Sequence, residues 1–354
     1  MQATHFPVRT LSACVPLVLK SAASRSRKLN VSARMGPART AVDEVNKGAF
    51  VRTAAGFRNK VAPGTQFEPE AGRYHLYISY ACPWACRALA ALHMKHTGWA
   101  FVSPDDPPLT SSTGHGSFSC ADCVPDSVNG AKFVRDLYDK AQDTTGKYSV
   151  PVLWDKKHNT IVNNESSDIL RIFNSSFNEL AQNPSLDLYP EPLRSKIDEV
   201  NEWVYNAINN GVYRCGFATQ QEPYEQAFKE LFAALDRCEE MLGRGRYLMG
   251  SSLTEADVRL FMTLIRFDEV YVVYFKTNRK FIHEYPNLRG YVQDLYQTPG
   301  ISPSVNIAHI KKHYFTSHPA LNTYAIIPMG GEPWWEQPHG RAAQFPDAQQ
   351  PWDK

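Results

Sequence analysis

Tyr77-Ile78-Ser79-Tyr80-Ala81-Cys82-Pro83-Trp84-Ala85-Cys86-Arg87-Ala88-Leu89-Ala90 is the stretch whose reading decides the fold. His75 to Ser79 is aromatic, β-branched and alternating, which predicts a short strand. Pro83 to about Met94 is rich in Ala, Leu and Arg. It predicts a helix with Pro in its first turn, where the missing N–H costs nothing. Cys82 then stands at the junction, just ahead of the helix. Unpaired backbone N–H groups and the positive end of the helix dipole face its sulfur, and both favour thiolate over thiol. The expectation is a thiol that titrates below the free value of ~8.5. A buried structural cysteine is the plain alternative. The strand before it and the proline after it favour a reactive thiol.

A thiolate nucleophile on a strand-to-helix turn is the arrangement with which thioredoxin-like folds carry out redox chemistry. A dithiol oxidoreductase has Cys-x-x-Cys, so that a second thiol resolves the mixed disulfide. Here the fourth residue is Ala85, and Cys86 lies one position too far. Cys82 must therefore be resolved by an external thiol, most simply glutathione, and Cys86 reads as a packed helical residue.

The 354 residues are 43% hydrophobic and 21% charged, which suits one or two globular domains. A net charge of +2 gives no strong electrostatic case for nucleic acid or a membrane surface. No apolar run approaches the ~18 to 20 residues of a membrane span. The seven cysteines are unevenly spaced, and an odd count without a framework argues for a reducing compartment. Residues 1–42 carry Arg9, Lys20, Arg25, Arg27, Lys28, Arg34 and Arg39, with no Asp or Glu before Asp43. Basic, hydroxylated and acid-free is the composition of a transit peptide. A chloroplast destination is favoured, with mitochondrion or cytoplasm as alternatives and a plain basic tail as the bland reading.

The rest divides by character. Residues 43–180 mix short strands and helices, including a Pro-bearing strand from Tyr148 to Trp154, a hairpin partner from Asn159 to Asn163 and a helix from Glu165. Residues 190–328 form long amphipathic helices, as in Pro223 to Leu242. Thr254 with Asp257 makes a capping box at the start of another. Residues 329–354 are Pro- and Gly-rich and read as a disordered tail. The fold class is an α/β thioredoxin-like domain followed by an all-α domain.

Val150-Pro151 precedes a strand, where thioredoxin-like folds place a cis-proline beside the active cysteine. The residue before it then faces a peptide ligand with its N–H and C=O. Glu165 and Ser166 stand at a helix start, an anion site suited to a γ-glutamyl carboxylate, while Glu165 can take the amino group. A simple capping pair is the alternative. Together with Cys82-Pro83, these three helix and strand starts form a specific set.

That set resembles the Xi-class glutathione transferases, the glutathionyl-hydroquinone reductases. Carrying the resemblance are Cys82-Pro83-Trp84-Ala85, TGKYSVPVLWDK at 145–156, NNES at 163–166, NNGVYRCGFAT at 209–219, LTEADVRLF at 253–261, YQTPG at 296–300 and HIKKHYF at 309–315. The resemblance runs from about Phe57 to Met329. It implies a glutathione-transferase helical domain, glutathione as co-substrate, a homodimer formed through that domain, and Cys82 as nucleophile. Trp99 would cover glutathione, Lys147 would meet its glycyl carboxylate, Val150 would pair with its cysteinyl backbone, and Glu165 and Ser166 would take the γ-glutamyl end. Tyr213 and Tyr314 would line a quinol site; ordinary packed aromatics are the alternative for both.

Two departures stand out. Met94-Lys95-His96-Thr97 leads straight into Gly98-Trp99, so that one strand of the first domain and its connection are missing from the pattern. Phe57-Arg58-Asn59-Lys60 lacks the family's Trp after the Asn, which would alter an aromatic wall of the site. Cys120-Ala121-Asp122-Cys123 has no two further ligands at zinc spacing and reads as an incidental or redox-labile pair, with no metal. The function implied is glutathione-dependent reduction of glutathionyl-hydroquinones. The alternatives are a general thiol transferase of dehydroascorbate reductase type, and a non-catalytic protein that binds glutathione conjugates.

Overall fold

The computed structural model describes residues 44–95, 125–318, 321–348 and 350. The described chain begins with a small hairpin, Val45–Asn46 (β1) and Ala49–Phe50 (β2). Lys47 and Gly48 join them, both at positive φ (48° and 80°), the backbone twist that a two-residue hairpin turn requires.

The strand ahead of Cys82 is Tyr74–Tyr77 (β3). It ends earlier than its β-propensity predicts, because residues 79–82 close into a turn in which the Cys82 N–H donates to the Ser79 carbonyl at 3.0 Å. Pro83–Lys95 (α1) follows directly. Val134–Lys140 (α2) precedes Val152–Asp155 (β4) and Thr160–Asn163 (β5). The predicted strand over 148–154 is trimmed to residues after Pro151, which has no N–H to give a ladder. β3, β4 and β5 pair antiparallel in that order. The expected gap of one strand falls on residues 96–124, outside the described residues.

Alternation divides this sheet between two faces. Leu76, Leu153 and Val162 pack with Ala85, Ala88 and Leu89 of α1, while Tyr77, Val152, Trp154 and Ile161 pack with Leu137 and Tyr138 of α2. Small alanines let α1 lie close to the sheet. Ser166–Arg171 (α3) joins α1 on the first face.

The second half is helical: Arg194–Val204 (α4), Gly211–Gly216 (α5), Gln221–Arg244 (α6), Glu255–Arg266 (α7), Val272–Tyr274 (α8), Pro286–Gln297 (α9) and Ile307–Thr316 (α10). Every residue of α7 is buried, as a helix at the centre of a bundle must be. The predicted capping box starts it: the Thr254 N–H and hydroxyl donate to Asp257 Oδ2 at 2.9 and 3.1 Å. α4 and α7 each run on into a π-helical turn, at Tyr205–Asn209 and Phe267–Tyr271. α7 packs against α1, so the helical half reaches the back of the Cys82 turn.

The tail expected to lack structure is ordered as far as the described residues reach. The Met329 carbonyl accepts from Lys311 Nζ at 2.6 Å, and the Trp334 carbonyl from Gln293 Nε2 at 2.8 Å. Arg341, in the short helix Arg341–Gln344 (α11), donates to the Gly245 and Arg246 carbonyls at 2.6 and 2.8 Å. Pro- and Gly-rich composition marked the absence of long elements. It did not mark the carbonyls left open at the end of α6, which Arg341 satisfies.

Candidate active site

Between the sheet half and the helical half lies a cleft of about 340 Å³ lined by Cys82, Lys147, Val150, Glu165, Ser166, Tyr213 and Tyr314. Trp99 is outside the described residues, as are Cys120 and Cys123. The Phe57–Lys60 loop does not line the cleft. It docks along β5 instead, with the Asn59 N–H on the Val162 carbonyl and Arg58 paired with Asp168.

Cys82 is the cap of α1: its carbonyl accepts the Cys86 N–H at 3.0 Å. Its thiol donates to the Val150 carbonyl, 3.6 Å away, and the Val150–Pro151 peptide is cis, as the sequence pattern predicted. The expected lowering of this thiol is not met. Burial dominates and pushes it up, against the Ala85 N–H, the Arg266 charge, the Trp84 N–H and the Arg52 charge, which all favour the thiolate. The helix terminus acts in the predicted direction. The loss of water around the sulfur, which sequence alone could not supply, acts more strongly. Cys86 is fully buried, as predicted for a packing residue, and its thiol donates to the Tyr80 carbonyl at 3.2 Å.

Glu165 caps α3, with Oε1 accepting from the Ser167 N–H and hydroxyl at 3.1 and 3.0 Å. Arg87 of α1 ties the pair together. Its Nε donates to Ser166 Oγ at 3.0 Å and its Nη2 to Glu165 Oε1 at 3.4 Å. Burial works against the Glu165 carboxylate, but the Arg87 charge and the Ser167 hydrogen bonds outweigh it and hold it below its ordinary range. Arg87 is itself pushed down to about 9, by burial first and by Arg259 second. Sequence reasoning missed this residue; an arginine inside an Ala- and Leu-rich helix was the available signal. Lys147 reaches the cleft with its ammonium already engaged, by the Glu44 carboxylate and by the Thr53 hydroxyl and carbonyl at 2.6 and 2.8 Å.

On the helical side, the hydroxyls of Tyr213 and Tyr314 are 2.6 Å apart, and Tyr314 is 3.1 Å from the hydroxyl of Tyr271. Burial pushes all three phenols up, so they remain protonated donors at neutral pH. A buried chain of hydroxyls is not the ordinary packing of surface tyrosines. Tyr271 was not foreseen: it comes from the π turn after α7, and no local pattern points to it. Arg52 was also missed. Its guanidinium lies 4.9 Å from the Trp84 ring centroid and 5.1 Å from that of Tyr213, while Nε donates to Asn210 Oδ1 at 3.0 Å. The cleft thus joins a cysteine sulfur at a helix start, backbone and carboxylate groups beside it, and an aromatic wall with protonated hydroxyls.

Known proteins share the sequence pattern and the fold. Residues 81–176 match the glutathione S-transferase N-terminal domain and residues 221–294 its C-terminal domain. The chain belongs to the glutathione S-transferase family. Within it, the chain is of the Xi class. It is 47% identical to the crystal structure of the glutathione-S-transferase Xi from Phanerochaete chrysosporium, with a TM-score of 0.75 over 81% of this chain and 94% of that one. The glutathione-bound structure of YqjG, a glutathione transferase homolog from Escherichia coli K-12, is 43% identical with a TM-score of 0.76, over 82% of this chain and 97% of that one. In sequence, the glutathionyl-hydroquinone reductase YqjG of Escherichia coli (strain K12) is 44% identical over 84% of this chain and 94% of its own length. The glutathionyl-hydroquinone reductase PcpF of Sphingobium chlorophenolicum is 43% identical over 80% and 90%.

Proposed function

We propose that this chain reduces glutathionyl-hydroquinones to hydroquinones, with glutathione as co-substrate. The observation that carries the reading is the meeting, in one cleft, of the Cys82 sulfur with the hydroxyls of Tyr213 and Tyr314, the latter backed by the buried hydroxyl of Tyr271. The relatives named as glutathionyl-hydroquinone reductases support it.

The Cys82 thiolate attacks the thioether sulfur of the conjugate. A sulfur–sulfur bond forms and the sulfur–aryl bond breaks. The electron pair passes to the ring carbon, which takes a proton, and the hydroquinone leaves. Tyr213 and Tyr314, held protonated, donate hydrogen bonds to the quinol oxygens and can deliver that proton. A second glutathione thiolate attacks the glutathione sulfur of the mixed disulfide. Oxidised glutathione departs and the Cys82 thiolate is regenerated. Val150, Glu165 and Ser166 would hold the glutathionyl part, and Lys147 would meet its glycyl carboxylate on exchanging Glu44 for the ligand.

Turnover of glutathionyl-menadione by the full chain, beside Cys82→Ala, tests the reading. Menadiol release that depends on glutathione and on Cys82 supports it; a wild-type chain that binds the conjugate without turnover refutes it. Two accompanying proposals rest on sequence and resemblance. The chain is a homodimer through its helical half, which light scattering decides, and residues 1–42 direct it to the chloroplast, which a fusion of those residues to a fluorescent protein decides.

A further inference from the structure

Arg266, the last residue of α7, is fully buried and reaches into the turn that carries the nucleophile. Its Nη2 donates to the Tyr80 carbonyl at 2.9 Å and to Cys86 Sγ at 3.1 Å, and its Nε to the Ala81 carbonyl at 3.4 Å. Nη1 returns to the Met262 carbonyl of its own helix at 2.7 Å. Among the described residues no carboxylate pairs with it. That sets it apart from the buried arginines 73, 87, 246 and 259, which pair with Asp155, Glu165, Asp294 and Glu255. Arg341 also lacks a carboxylate, but its carbonyls lie at the end of α6, at Leu242 and just beyond the helix.

A guanidinium taken out of water loses several kcal/mol of solvation unless a full negative charge answers it. Carbonyls answer it only with partial charge. Cys86 does not answer it either, since burial pushes that thiol up to about 11 and it stays neutral as a donor to Tyr80. The carbonyls that Arg266 grips belong to the two residues directly before Cys82. The group that develops full negative charge beside them is the Cys82 sulfur.

We propose that Arg266 is the positioning residue of the nucleophile: it fixes the Tyr80–Ala81 turn and is the buried counter-charge of the Cys82 thiolate. This rests on Cys82 being the nucleophile of the proposed reaction. The other groups that face the sulfur are accounted for. From α1 come Cys86 and the Trp84 and Ala85 amides; from the segment after β2 comes Arg52; from the helical half come Tyr213 and Tyr271. Tyr314, His313 and His318 line the same cleft, and the histidines add charge only when protonated. Arg52 is partly exposed and spread over aromatic faces, and Arg87 and Lys147 of the same cleft are paired with Glu165 and Glu44, which leaves Arg266, among the described residues, as the fully buried cation of the site with no carboxylate.

The experiment is the pH dependence of iodoacetamide labelling at Cys82, read by peptide mass spectrometry on the full chain, for wild type, Arg266→Gln, Arg266→Met and Arg266→Lys. Melting temperature is measured alongside. The neutral variants should raise the labelling midpoint by about one pH unit, a roughly tenfold loss of Cys82 labelling at a fixed pH below it. Lys should restore the wild-type midpoint. Gln keeps hydrogen bonds to the carbonyls and Met keeps the packing, so one of them folding is enough. A folded neutral variant with the wild-type midpoint overturns the proposal, as does Lys behaving like Gln. Absence of glutathionyl-menadione turnover in a wild type that labels normally would count against the reaction and not against Arg266.

Discussion

Tyr314→Phe removes one oxygen and leaves the ring in place. That oxygen is the middle of the hydroxyl chain, 2.6 Å from Tyr213 and 3.1 Å from Tyr271, on a residue that is only 2% exposed. Two effects follow, of different size. For the fold, Tyr213 and Tyr271 each lose a partner. A buried hydroxyl left unsatisfied costs about 1–3 kcal/mol. Tyr213 lines the cleft, where water can replace the lost bond, so the whole penalty is about that of one group. For the reaction, a hydroxyl that assists proton delivery to the leaving hydroquinone contributes about 10²- to 10⁴-fold. Turnover of glutathionyl-menadione should therefore fall about a hundredfold or more. Reduction of a small glutathione mixed disulfide, in which sulfur and not a ring carbon takes the electrons, should fall no more than about twofold, since it makes no use of proton delivery to carbon. Both assays are run on one preparation, with urea unfolding to confirm the stability change. Equal losses on the two substrates would refute the reasoning and leave Tyr314 as a support of the fold.

Cys82→Ser should abolish turnover and leave glutathione binding measurable by calorimetry, because Val150, Glu165 and Ser166 are retained and the serine hydroxyl can replace the thiol as donor to the Val150 carbonyl; an adduct that persists at Cys86 in this variant would contradict the assignment. Lys147→Met should raise the KM for glutathione about tenfold, the order of one charge-assisted hydrogen bond, with kcat little changed; an unchanged KM would mean that the ammonium stays with Glu44. Asp257 is pushed up to about 6, chiefly by burial, from a model-peptide value of about 3.9. Its contribution to stability is therefore fully present below about pH 4 and is lost as pH rises through about 6. Asp257→Asn cannot titrate, so its stability deficit relative to wild type, from urea unfolding, should shrink between pH 4.5 and pH 7; a deficit that grows with pH would reverse the assigned shift.

How much of this was legible beforehand depends on how far apart the deciding residues lie. The sequence alone determined the local devices. A strand, a cysteine and a Pro-started helix within fifteen residues place the sulfur at a helix N-terminus. Thr254 and Asp257 make a capping box from three-residue spacing, and Glu165 with Ser166 marks another helix start. Each depends on backbone bonds between near neighbours, which propensity and spacing encode. The tertiary structure decided the rest. Arg266 meets the Tyr80 carbonyl across 186 positions, Tyr213 meets Tyr314 across 101, and Arg52 meets Asn210 across 158. No periodicity reports such meetings. The protonation of the Cys82 thiol belongs to the same class. The helix terminus that lowers the Cys82 thiol can be read from six residues, but the burial that raises it is a sum over every atom the fold packs around the sulfur, and the two halves of the chain must first close on each other for that sum to exist.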